Sequence, residues 1–511
     1  MKKKIKTIFS LFILLVITLI IVFSYYMKKT YVQVPFEELY FYIFNGVSNS
    51  DSGMFIGAIM ESLPYIVIIY SLMIIILYDI SFGKMKSKLY PFKSINRHRG
   101  IIIFILFIIS CLIGLYNLNF FKYVKNTSTS SNFIELNYVN PKNVNISFRE
   151  KRNLIFIVSE SLETSFFTKS QGGYWNYEVT PELYKLLAED DVVTFYDNNK
   201  AQGMKMIKGA SYTTASVFAN TSGLPFKVPI DGNSYHSENF MNGSYTLGDL
   251  LSDNGYYNEL ISSARTSFGG IKEYFTRHGN YSIIDVDSLE KYNFNFTNDD
   301  LGSWGFNDNY LFDVAKTRLS SISKKDKPFN LALITIDTHA KDGFIGKYSE
   351  SKFKTQYENV YATQSKLIYD FVNWVRGQDF YDNTTIVIVG DHLSMQSEYF
   401  SSRNIKDRYV YSCIINSGIK NVNNSHRQFT ALDTYPTIIS AIGGKVQYDR
   451  LGLGVDLFSG KKTMIERYGF GYVNEELSKK SQYYDKYIID DDYINNNKKI
   501  GNKCITLNTK N

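Results

Sequence analysis

The chain has 511 residues, a formal net charge of +7, 44% hydrophobic residues and 21% charged residues. That length leaves room for a membrane part and at least one large globular domain. The charge is too mild, and too evenly spread outside one loop, to argue for a nucleic-acid partner. Three cysteines, Cys111, Cys413 and Cys504, stand far apart without a CxxC, so neither a zinc knuckle nor a disulfide framework is expected.

In chain order, the first feature is an apolar run from Ile8 to Phe23, with no charge between Lys6 and Lys28. Similar runs cover Tyr65 to Tyr78 and Ile101 to Leu115. With their flanks they are about as long as a bilayer demands, which predicts three transmembrane helices within residues 1–120. No small-residue cleavage site follows the first, so it reads as an anchor and not a removed signal. The basic N-terminus and the loop carrying Lys84, Lys86, Lys88, Lys93, Arg97 and Arg99 should both face the cytoplasm. Three crossings then put the rest of the chain outside, where chemistry runs without ATP.

A polar connector is expected over residues 121–149, followed by an extracytoplasmic domain over 150–475 and a polar C-terminal appendage over 476–511. Short apolar runs predict strands at Asn153–Val158, Asn330–Ile336, Thr384–Val389 and Tyr409–Ile415. Helical spacing lies between or beyond them at Thr180–Glu189, Gly270–Arg277, Asn309–Leu319, Tyr357–Val375 and Thr430–Ile442. Strands alternating with helices predict an α/β fold, a mainly parallel sheet with helices on both faces.

Sheets of that kind place their sites outside the carboxyl ends of the strands. Three predicted strands end in groups able to ligate or to move protons: Ser159-Glu160-Ser161, Asp337-Thr338-His339 and Gly390-Asp391-His392. Glu160, Asp391 and His392 offer the oxygen and imidazole donors a divalent cation takes, with two negative charges to balance it. Three protein ligands would leave a position open for a nucleophile or a substrate oxygen. A nucleophile is available in the segment Lys208 to Asn220, which contains Thr213-Thr214-Ala215-Ser216 and reads as a loop entering a helix. A hydroxyl at such a helix start lies among free backbone N–H groups that suit an anion. N-capping is the competing use of the same residues.

The motifs NLIFIVSESLETSF, YTTASVFANTSGLP, SWGFNDNYLFD, ITIDTHAKDGF, IVIVGDHLSM and LDTYPTIISAIGG occur in this order. Together they resemble the sulfatase-fold transferases of the alkaline phosphatase superfamily, nearest the phosphoglycerol transferases and more distantly the lipoteichoic acid synthases. The likeness runs over about residues 150–460. It implies that Glu160, Asp391 and His392 are metal ligands, joined by Thr213 as the nucleophile, with Thr214 as the alternative nucleophile. It implies that His339 binds substrate or transfers a proton. The region between the nucleophile and the WGF motif departs from the family pattern; Arg265, Lys272 and His278 there, with Trp304 of the WGF motif itself, are the expected substrate contacts.

The resemblance further implies one divalent metal ion, Mn²⁺ first with Mg²⁺ or Zn²⁺ behind it. The implied activity moves phosphoglycerol from phosphatidylglycerol to a hydroxyl of a glycan or cell-envelope polymer through a phospho-threonine. The implied place is the bacterial cytoplasmic membrane, with the catalytic domain on the periplasmic or extracellular side. A phosphoethanolamine transferase drawing on phosphatidylethanolamine is the alternative, disfavoured by three predicted helices and only two outer cysteines. A hydrolytic sulfatase is disfavoured because no C/S-x-P-x-R pattern follows the Thr pair. A binding protein that keeps the fold without its chemistry would be expected to have lost a cage residue.

Overall fold

The computed structural model describes residues 2–31, 36–45, 52–78, 98–196, 202–227, 240–302, 304–403, 405, 407–419 and 426–489. The basic loop of residues 79–97 and the tail from residue 490 lie outside these. By internal contacts the chain forms two compact units.

The first unit is built on α1 (Lys2–Thr30), α3 (Ser52–Tyr78) and α4 (Arg99–Asn117). Each contains a stretch long and apolar enough to cross a membrane: Lys4–Thr30, Ile56–Tyr78 and Arg99–Asn117. Leu14, Ile17, Leu77 and Ile103 form a small core where the three meet, and the Tyr70 hydroxyl donates to the Leu11 carbonyl at 3.2 Å. Their other faces expose large apolar residues such as Phe9, Phe12, Ile68, Phe104 and Leu112. That is the arrangement for a hydrocarbon surround, where apolar surface need not be hidden. A further helix, α2 (Phe36–Asn45), lies in sequence between the first two and is grouped mainly with the second unit.

The second unit is an α/β domain around a seven-stranded sheet. Its strands are β1 (Asn153–Ser159), β2 (Val192–Val193), β3 (Tyr257–Ser262), β4 (Ser282–Ile284), β5 (Phe329–Ile334), β6 (Thr384–Gly390) and β7 (Ser412–Ile415). Their order is β2-β7-β6-β1-β5-β3-β4. Strands β6, β1, β5, β3 and β4 run parallel, while β7 is antiparallel to its neighbours β6 and β2. The central strands are buried along nearly their whole length, as parallel strands covered on both faces must be. Around the sheet lie α5 (Pro181–Leu186), α6 (Thr213–Ser222), α7 (Asp308–Ile322), α8 (Gln356–Arg376) and α9 (Thr434–Ala441).

Three expectations change. The strand expected over Tyr409–Ile415 is regular only from Ser412, because Val410 makes isolated bridges to Glu163 and Met204. The strand expected to reach Ile336 ends at Ile334, since Ile336 and Asp337 give their N–H groups to Asp308. The described part of the expected appendage is packed, not loose: Tyr484, Ile488 and Ile489 are buried, and the Tyr484 hydroxyl donates to the Pro225 carbonyl at 2.5 Å.

Candidate metal centre and nucleophile

The sheet register builds the site. Ser159 at the end of β1 stands opposite Gly390 at the end of β6, so Glu160 and Asp391 leave the sheet at the same level. Gly390 is required by close approach, because a Cβ there would lie 2.0 Å from the Leu162 carbonyl oxygen. Behind β1, the Glu160 N–H donates to Thr335 Oγ1 at 2.9 Å and the Thr338 hydroxyl donates to the Glu160 carbonyl at 2.5 Å. Tyr361 on α8 donates to the Ser161 carbonyl at 2.6 Å. The loop is thus held from two further elements.

Glu160, Asp391 and His392 each offer a ligand atom, and these atoms all lie within 4.8 Å of one another. All three residues are buried, at 1–2% exposure. Asp391 Oδ1 accepts from the Ser161 N–H at 2.7 Å and the His392 N–H at 2.6 Å, while its Oδ2 has no hydrogen-bond partner. His392 Nδ1 lies 2.9 Å from the Leu393 carbonyl, which makes it the donor and leaves Nε2 as the lone-pair nitrogen. Nε2 also has no hydrogen-bond partner, and it lies 3.3 Å from Asp391 Oδ2 and 3.7 Å from Glu160 Oε1. Burial first, then the Glu160 charge, pushes the Asp391 carboxyl up to about 7. Burial pulls His392 down, but the Asp391 and Glu160 carboxylates outweigh it and hold the imidazole above its ordinary value. Orphaned donor atoms converging in a buried anionic pocket fit a divalent cation.

Thr213 is the first residue of α6, and its hydroxyl donates to Glu160 Oε2 at 3.3 Å. The neighbouring Thr214 is 2% exposed and its hydroxyl donates to the Gly269 carbonyl at 2.6 Å. The two threonines therefore differ in availability: one faces the carboxylate cluster, the other is spent on a backbone tie. Ser216, one turn further along α6, donates to the Asp391 carbonyl at 2.5 Å, fastening the helix to the cluster.

His339 stands partly exposed after β5, with Nδ1 2.7 Å from the Ala340 carbonyl and its ring centroid 5.0 Å from that of Trp304. Trp304 is 4% exposed and its Nε1 has no hydrogen-bond partner. Arg265 is half-buried and paired with Asp287 at 3.3 Å, and the Lys272 side chain is exposed. His278 is corrected: both ring nitrogens are engaged within the protein, Nε2 2.8 Å from the Phe240 carbonyl and Nδ1 3.0 Å from Asp249 Oδ2. It is a tether and has no nitrogen left for a ligand.

One neighbour of the site had no sequence signal. Glu38 on α2 is 2% exposed, and the Ser211 hydroxyl donates to its Oε2 at 3.4 Å. Burial pushes it up to about 8, opposed by the charges of His392 and Lys208. Glu37 beside it is ion-paired with Lys208. Nothing in the spacing of two glutamates far outside the motif region could have placed them here.

The sulfatase family profile matches residues 152–444. Curated relatives include phosphoglycerol transferase I of Escherichia coli (strain SMS-3-5 / SECEC), 28% identical over 320 residues, covering 61% of this chain. The match spans 39% of that relative's length. Among solved structures, the integral membrane protein lipooligosaccharide phosphoethanolamine transferase A from Neisseria meningitidis is similar with a TM-score of 0.51 and 13% identity. That likeness covers 88% of this chain and 87% of the other, and it shows the fold. The lipoteichoic acid synthase from Listeria monocytogenes is similar over 63% of this chain and 82% of its own, at 17% identity and a TM-score of 0.48.

Proposed function

Since the chain belongs to the sulfatase family, we propose that it is a membrane-anchored, metal-dependent transferase. In this reading it moves phosphoglycerol from phosphatidylglycerol to a glycan or cell-envelope hydroxyl, on the outer side of the bacterial cytoplasmic membrane. The observation that carries the reading is the meeting of Glu160, Asp391 and His392 with the Thr213 hydroxyl at a helix start. Glu160, Asp391, His392 and Thr213 Oγ1 would hold one divalent cation, Mn²⁺ by family likeness, with Mg²⁺ and Zn²⁺ as alternatives. When bound, the cation supplies positive charge against the oxygens that become anionic during transfer.

The residues divide the remaining work. Thr213 Oγ passes its proton to Glu160 Oε2, the acceptor of its hydrogen bond, and bonds to the donor phosphorus, while the bond from phosphorus to the diacylglycerol oxygen breaks. His339 supplies the proton with which diacylglycerol leaves. The N–H groups opening α6 and the Trp304 Nε1 donor face charge on the phosphoryl oxygens. In the second half, His339 takes the proton of the acceptor hydroxyl, whose oxygen bonds to phosphorus as the Thr213 ester breaks and Thr213 Oγ recovers its proton from Glu160. One phosphodiester replaces another, so no nucleotide is consumed.

The test is peptide mass spectrometry of detergent-purified protein incubated with Mn²⁺ and phosphatidylglycerol or phosphatidylethanolamine, without acceptor. A phosphoglycerol adduct on the Thr213 peptide is expected. An adduct from phosphatidylethanolamine alone would make it a phosphoethanolamine transferase. No adduct from either lipid would overturn the proposed transfer.

A further inference from the structure

The expected substrate contacts Arg265, Trp304 and His339 come from three loops: residues 263–266 after β3, 304–307 before α7, and 335–339 after β5. The first two are zipped together. The Arg265 N–H donates to the Trp304 carbonyl at 3.0 Å and the Phe306 N–H to the Ser263 carbonyl at 2.9 Å. A Cβ at Gly305 would lie 2.0 Å from that same Ser263 oxygen. The third loop is tied to Glu160 through Thr335 and Thr338, and its hydrogen bonds toward the first two loops converge on Asp308.

Asp308, the first residue of α7, is fully buried. Its Oδ1 accepts from the Ser263 hydroxyl at 2.7 Å and from the Ile336 N–H at 2.8 Å. Its Oδ2 accepts from the Asp337 N–H at 3.0 Å, and Asp337 Oδ2 in turn accepts from the Asp308 N–H at 2.9 Å. Asn307 occupies the cap position of α7 without a side-chain cap bond. The Asp308 carboxylate is thus directed across to the neighbouring loops and does not serve its own helix. One group touches all three loops: Ser263 lies two residues before Arg265, Asp308 four after Trp304, and Asp337 two before His339.

We propose that Asp308 is the positioning residue of the substrate-facing side of the site, setting Arg265, Trp304 and His339 relative to one another without touching substrate or cage. The inference rests on the transfer reading for what those three side chains meet. A carboxylate can accept from two N–H groups and a hydroxyl at once, whereas an amide in its place must turn its NH₂ toward one of those donors. Small misplacements of such contacts are enough to cost substrate binding and rate.

The test uses the full-length protein in detergent, in a W175F/W374F background that leaves Trp304 as the one tryptophan of the three in the chain. Three variants are compared: Asp308→Asn, Ser263→Ala, and Asp433→Asn as a buried-acid control that accepts the Thr430 and Val455 N–H groups. The Trp304 emission is titrated with pH, because a protonated imidazole in ring contact quenches indole. Donor KM and kcat are measured by adduct formation with phosphatidylglycerol, and metal binding by the melting shift with Mn²⁺. Asp308→Asn is expected to lose the pH-dependent quench and to raise donor KM about tenfold or more, with the Mn²⁺ shift kept. Ser263→Ala should fall between it and the parent, and Asp433→Asn should melt earlier with quench and KM unchanged. The proposal is overturned if Asp308→Asn keeps both quench and KM, or if Asp433→Asn reproduces its losses. If the parent forms no adduct, the transfer reading fails by itself, and the presence or loss of the quench in Asp308→Asn still decides the positioning role.

Discussion

Two adjacent threonines with the same chemistry have different fates here, and the difference is a hydrogen bond. The Thr214 hydroxyl donates its hydrogen bond to the Gly269 carbonyl, while the Thr213 hydroxyl donates to Glu160. Thr213→Ala is therefore expected to lower transfer by about 10³-fold or more, and Thr214→Ala to lose stability while still forming the adduct on Thr213. Mass spectrometry of the same peptide reads both. An adduct surviving in Thr213→Ala would move the nucleophile to Thr214. The cage makes a second prediction. Orphaned Asp391 Oδ2 and His392 Nε2 should make the fold gain stability from a divalent cation, about 2.7 kcal/mol at one hundred times Kd. The gain should vanish in Asp391→Asn and on chelation, as a melting curve would report.

At the scale of elements, the site depends on strand ends arriving together. Adding a methyl group at Gly390 would force β6 away from the Leu162 carbonyl. Gly390→Ala is expected to cost about 1–3 kcal/mol in denaturant unfolding and to weaken metal binding, since Asp391 follows directly. Below α9, burial pushes Asp433 from an ordinary 3.8 up to about 7. Its neutral form is thus favoured in the folded state. The stability it contributes is present below about pH 4 and is lost as pH rises to about 7. Asp433→Asn should flatten that decline relative to the parent, whatever its absolute loss; an unchanged slope would show that Asp433 titrates normally.

For the whole molecule, the prediction concerns sidedness. The basic N-terminus and the basic loop of residues 79–97 are expected inside, with residues from 126 onward outside. A reporter that is active only outside the cytoplasm should be silent when fused after Ser87 and active when fused after Ile489. The reverse pattern, or activity at both points, would overturn the three-crossing arrangement. Outside placement would suit the proposed transfer, because exchanging one phosphodiester for another needs no nucleotide.

What the sequence determined by itself were the features carried by local pattern. The apolar stretches are legible because a bilayer demands about 20 consecutive apolar residues. Strands β1, β5 and β6 are legible because burial on both faces makes them continuous apolar runs, and their polar ends then mark the site. Strand β3 escaped the same reading because Asn258 and Glu259 interrupt its apolar run, one bound to the Gly248 and Gly279 carbonyls and the other paired with Arg318 at 2.7 Å. Buried polar residues of that kind cannot be told from exposed ones until their partners are in place. The same is true of the choice between Thr213 and Thr214, of His278 as a tether, of Glu38 beside Ser211, and of Asp308 joining three loops. Each depends on contacts between residues distant in the chain, which only the tertiary structure brings within hydrogen-bond reach.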